Sequence, residues 1–94
     1  MTEITREQEF RWLAININFY MTSIAQQRRY SSPESCVSYL NSTIPQYQAE
    51  AQAYNLWRDA CWMIIVPLLE GLQPDDPIPT IGQLIPQLPI IQWP

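Results

Sequence analysis

The apolar positions in the first part of the chain fall into two stripes. Phe10, Leu13, Ile17, Tyr20 and Ile24 recur at spacings of 3-4-3-4, joined by Met21. At about 100° per residue these positions share one helix face. Trp12, Ile15 and Phe19 also recur at 3-4, but on roughly the opposite side, with Arg11, Asn16, Asn18, Thr22 and Ser23 between the stripes. Thr5-Arg6-Glu7-Gln8 has the form of a capping box, with Thr5 as N-cap and Gln8 at N3. Glu7 and Glu9 then sit where the helix dipole favours acids, and Arg28-Arg29 where it favours bases. The pattern predicts a helix from about Arg6 to Arg29. One stripe serves the domain core, and the other needs a further layer or another chain.

Ser31-Ser32-Pro33-Glu34 is a second start signal, because Pro33 suits the first helical position and a preceding serine can cap. It predicts a short helix through Leu40 or Asn41 that buries Cys36, Val37 and Leu40. Ile44-Pro45 marks the next boundary. A third helix is expected from near Gln46 to about Val66, with Tyr47, Ala51, Tyr54, Trp57, Cys61, Ile64 and Leu68 at helical spacing. Trp62, Ile65 and Leu69 widen that face. Pro67 lacks a backbone donor and crowds the carbonyl of Met63, so it predicts a kink or a stop. A last turn could reach Glu70, with Gly71 as the residue that closes it.

From Gln73 onward the text changes character. Pro74, Pro77, Pro79, Pro86, Pro89 and Pro94 punctuate a stretch that still holds Ile81, Leu84, Ile85, Leu88, Ile90, Ile91 and Trp93. Thr80 to Gln83 repeats the capping-box form and predicts a short fourth helix through Leu84-Ile85, ended by Pro86 and Pro89. The final residues are expected to be extended. A segment this apolar is expected to dock, on its own domain or on a partner. The expected architecture is therefore all-α: a helical domain over residues 1–72 with three main helices, and a Pro-rich segment over 73–94 that holds the short fourth helix and an extended end.

Composition sharpens this picture. Of 94 residues, 47% are hydrophobic and only 15% charged, against the roughly 25% charged residues of an average soluble domain. So much apolar surface in a small chain points to an oligomer or to a subunit of a hetero-complex. The net charge of −4 and five scattered arginines, with no lysine, leave no basic stripe for a nucleic-acid backbone. The uncharged run Ala60–Leu69 is about half the length a membrane span needs. A core or interface helix is expected there, with no targeting segment before it.

The chemistry of the side chains excludes more. Without histidine there is no Ser-His-Asp set, and Cys36 and Cys61, 25 positions apart, lack the usual catalytic base. Two separated cysteines do not make a zinc site, and no Gly-rich phosphate loop is present. No cofactor is expected. Cys36 and Cys61 read as buried free thiols. The candidate partner-contact residues are Trp12, Ile15 and Phe19 on the second stripe, the polar pair Arg58-Asp59 within an apolar helix, and Ile90, Ile91 and Trp93 in the last segment. Aromatic residues dominate both cores and interface hot spots.

Trp57-Arg58-Asp59-Ala60-Cys61-Trp62, then Pro79-Thr80, Leu84-Ile85, Leu88-Pro89 and Trp93-Pro94, resemble the C-terminal half of small tailed-bacteriophage proteins encoded beside tail-fibre genes. These are described as tail-fibre assembly chaperones or tail-fibre-associated proteins. The resemblance covers residues 54–94. It implies a non-enzymatic protein that helps a fibre assemble, or that stays in the particle as a small fibre or baseplate component. Its partner would be a tail fibre or baseplate protein, and its location the host cytoplasm during assembly or the virion tail. The alternative is a small phage-encoded inhibitor of a host defence system or host enzyme. A third class, a regulator whose catalytic chemistry lies in another chain, fits the same composition.

Overall fold

In the computed structural model, which describes residues 5–94, two long helices lie side by side. Helix α1 spans Arg6–Gln26, α2 Pro33–Val37, α3 Pro45–Glu70 and α4 Ile81–Leu84, followed by a 3₁₀ turn at Ile85–Gln87 and an extended end. The described residues contain no strand. The fold is all-α.

Side-chain links set the direction of the pair. Arg28 and Tyr30 reach Glu50, Tyr54 reaches Met21, and Arg6 reaches Gln73 and Asp76. The rising partner numbers make α1 and α3 antiparallel. The last segment then runs back along α3: Trp57 donates to the Pro89 carbonyl at 2.7 Å, and Trp93 stacks near Tyr54. The molecule measures 52 × 26 × 19 Å with a radius of gyration of 15.5 Å, against about 12 Å for a compact domain of this length. A thickness of 19 Å is about two helix diameters. Such a layer buries one face of each helix and leaves the other in solvent.

The core holds Leu13, Ile17, Met21 and Ala25 from α1 and Ala51, Tyr54, Trp57, Cys61 and Ile65 from α3. Tyr30 after α1, Cys36 of α2 and Leu84 and Leu88 of the last segment complete it. Tyr20 and Ile24 pack at its edge. Of the face expected on α3, Tyr47, Trp62 and Leu68 are exposed instead; Tyr47 and Leu68 lie near the two ends of the helix, where the core thins, and Tyr47 packs edge-on to Tyr39.

The capping boxes at Thr5 and Thr80 form, and Ser32 caps α2 with Pro33 at its first position. Other boundaries differ from the sequence expectation. Helix α1 ends at Gln26, and Arg29 takes φ 69°. Tyr30 donates to the Ala25 carbonyl and Arg29 to that of Gln26, which is the Schellman closure, here with arginine where glycine is usual. Helix α2 stops at Val37, and Tyr39 and Leu40 continue as tighter turns bonded to Cys36 and Val37. Helix α3 passes through Pro67 and ends at Glu70, the last turn that the sequence allowed. Pro67 lies on the exposed side next to exposed Met63, so the carbonyl that loses its helical donor is open to water. Gly71 has φ −79° and does not supply a left-handed closure. Pro86 sits inside the 3₁₀ turn rather than ending the helical stretch.

Cys36 and Cys61 are fully buried free thiols. Burial pushes both up to about 11, helped at Cys36 by the Glu50 carboxylate. Burial also raises the Tyr54 and Tyr30 phenols, and the hydrogen bond to Glu50 adds to the effect at Tyr30. Each folded-state value lies above the unfolded one. The native state therefore holds its protons longer, and stability that is complete below pH 9 is lost as pH rises towards 11 and beyond. A shift of this size corresponds to roughly 2–3 kcal/mol per thiol. The urea midpoint is expected to fall steadily between pH 9 and 11, with both thiols inert to maleimide at pH 8 until urea unfolds the chain. A flat midpoint over that range, or rapid native labelling, would contradict this burial.

Candidate protein-contact surfaces

Trp12, Ile15 and Phe19 form the outer face of α1. Trp12 and Phe19 are each 67% exposed, and Ile15 is exposed beside them. The opposite face of the same helix supplies Leu13, Ile17 and Met21 to the core. The two-stripe pattern thus becomes one buried face and one bare one. Arg11, which flanks the bare face, pairs with Glu7 at 2.9 Å across one helical turn. Both members are largely exposed, so this pair does little for stability.

The other candidates separate. Arg58 donates to Asn55 Oδ1 at 3.1 Å. Among the described residues the ion pairs are Arg11–Glu7 and Arg28–Glu50, so Arg58 and Asp59 do not form one. Asp59 is exposed on the solvent side of α3. Ile91 packs against the core while its neighbour Ile90 is 83% exposed. Trp93 is half-buried and held within the chain. It stacks on Tyr54 with ring centres 6.2 Å apart, lies under the Arg28 guanidinium at 5.3 Å, and donates its indole N–H to Gln27 at 3.1 Å. The structure therefore joins Trp12, Ile15 and Phe19 into one surface and leaves Arg58, Ile91 and Trp93 committed to intrachain contacts.

Glu50 escaped the sequence reading. It is buried on α3, where Tyr30 donates to Oε1 at 2.9 Å and Arg28 to Oε2 at 3.2 Å. A buried carboxylate needs such partners, because an unpaired one costs several kcal/mol. Arg28 also donates to the Pro94 oxygen at 3.3 Å, so one guanidinium ties the helix pair to the end of the last segment. Beside this cluster lies an open groove of about 510 Å³, lined in part by Arg29, Tyr39, Gln46 and Tyr47. Both Glu50 oxygens are already engaged, which gives the carboxylate a structural role. The signal in the sequence was slight: Glu50 lies in a polar-looking stretch, QYQAEAQAY, and its partners stand 20 and 22 residues away.

Among the described residues no group of three metal-ligating side chains converges, and no helix is long and apolar enough to cross a membrane. The chain matches no protein-family model, no curated protein and no solved structure.

Proposed function

We propose that this protein is a non-enzymatic, tail-fibre-associated bacteriophage protein. It acts through protein–protein contacts as an assembly chaperone or as a small structural component of the fibre or baseplate. The observation that carries the binding part of this reading is the bare face of α1. Two large aromatic side chains and an isoleucine stand in solvent on a rigid helix whose other face is packed. Burying such a face on a partner is worth about 1.5–3 kcal/mol per large side chain, and aromatic anchors of this kind dominate interfaces.

The phage part rests on the resemblance over residues 54–94. Its motif residues have structural work in this fold. Trp57 and Cys61 are core residues, Thr80 caps α4, Leu84 and Leu88 are buried, and Trp93 anchors the returning segment. The motif is thus the signature of a segment folded back on a helix, and the contact face lies outside it.

Trp12→Ala tests the assignment. It is expected to weaken binding to the proposed tail-fibre partner at least tenfold, while the thermal midpoint of the isolated chain moves by only a degree or two. An equal loss in both would make Trp12 a folding residue and remove the contact face from the account.

A further inference from the structure

Helix α3 carries a second apolar stripe that the core does not use. Ala49, Ala53, Leu56, Ala60, Met63 and Pro67 follow one another at spacings of 4-3-4-3-4, the seam of a coiled coil. The stripe contains no charge. Its large members stand in solvent, Leu56 at 71% and Met63 at 77% exposure. At 1.5 Å per residue it runs about 27 Å. Beside it, Ala53, Leu56, Trp57 and Ala60 enclose a trough of about 290 Å³ that Pro89 and Ile90 wall off. Those four helix positions are i, i+3, i+4 and i+7, the arrangement of a socket for a knob from a facing helix.

We infer that this stripe pairs with the same stripe of a second copy, antiparallel, about a two-fold axis level with residue 58. The order of sizes along the seam selects this occupant. Two copies related in this way set Leu56 against Ala60 of the second copy, Met63 against its Ala53, and Pro67 against its Ala49. Every large residue meets an alanine, and the relation is reciprocal, as an isologous interface requires. Shifting the register by a heptad leaves fewer layers paired. The bare face of α1 lacks this property, since any such pairing that opposes Trp12 and Phe19 sets two large rings together.

The same axis brings like flanks face to face. On one side Ile90 of each copy meets the other's, which covers the most exposed isoleucine among the described residues. On the other side Asp59 faces Asp59 of the second copy, and this repulsion limits affinity. A single helix seam with one flanking side chain falls below the roughly 800 Å² per partner of a standard interface. The dimer is therefore concentration-dependent rather than obligate.

Sedimentation equilibrium of the purified full chain tests the pairing. A reversible monomer–dimer equilibrium is expected, weakened at least 100-fold by Leu56→Asp with Met63→Asp and tightened severalfold by Asp59→Asn. Register is read by mild oxidation of variants with one cysteine added on the seam, the native Cys36 and Cys61 being buried. A mixture of Leu56→Cys and Ala60→Cys chains should form a disulfide-linked heterodimer, while neither variant alone does. Self-linking of each variant alone would mean a parallel pairing and overturn the proposal. So would a monomer at every concentration, or a dimer indifferent to the aspartates. Loss of fibre-protein binding in the Leu56→Asp, Met63→Asp chain, with the wild type monomeric alone, would give this face to the fibre and overturn it equally.

Discussion

Tyr54→Ala is expected to cost about 3–5 kcal/mol, the range for removing a fully buried aromatic side chain, and to leave much of the protein unfolded at 37 °C. Tyr54 sits at the centre of the fold. It is completely buried, packs against Trp57 and Trp93, and donates its hydroxyl to the Met21 carbonyl at 2.8 Å. It therefore touches all three pieces that must come together, α1, α3 and the returning segment. A chain of 94 residues has roughly 5–14 kcal/mol of stability in total, so this loss is a large share. Tyr54→Phe separates the packing from the hydrogen bond. It keeps the ring and is expected to cost only about 1 kcal/mol, because the Met21 carbonyl retains its place in the α1 ladder. Chemical denaturation followed by far-UV circular dichroism measures both. A cost below about 1.5 kcal/mol for the alanine variant would show that the three pieces do not depend on this ring.

Deleting residues 87–94 is the second large perturbation. The deletion removes buried Leu88, the acceptor of the Trp57 indole at Pro89, and the Trp93 stack. It also removes the Arg28 contacts with Trp93 and Pro94. Burial of Leu88 and Trp93 favours docking by a few kcal/mol, and ordering eight residues opposes it. The net loss is expected to be about 2–4 kcal/mol. Trp57, freed of its cover, should shift its fluorescence to the red, and the truncated protein should bind a hydrophobic dye. An unchanged midpoint with unshifted fluorescence would show the segment to be idle.

The periodic parts of this fold were legible in the chain. The capping boxes at Thr5 and Thr80, the Ser32-Pro33 start and the opposed stripes of α1 are local signals, and each is realised locally. Pro86 and Gly71 were read too literally. Pro67 is tolerated within α3 because its side of the helix faces water, and Pro86 because a 3₁₀ turn accommodates it. The left-handed residue is Arg29, not a glycine. Tertiary packing decided that position, since the closure it makes brings Tyr30 to Glu50. No local pattern announces such a pairing across 20 residues.

The candidate contact surfaces were legible in unequal degree. Trp12, Ile15 and Phe19 stood out because large aromatics mark a stripe clearly. The seam of α3 did not, because three of its six members are alanines with little hydrophobic mass. The sequence also placed Trp93 among the contact candidates. Its indole N–H and ring find their partners at Gln27, Arg28 and Tyr54, a site assembled only when the segment folds back antiparallel to α3.

The most direct test of the whole reading is mass-resolved sizing of the protein co-expressed with the tail-fibre protein proposed as its partner. Co-elution in a fixed ratio, lost in a Trp12→Ala, Phe19→Ala chain that remains folded, is the result the account predicts. A folded chain that ignores the fibre protein, or that binds it equally well without Trp12 and Phe19, would contradict it and favour an inhibitor of a host protein instead.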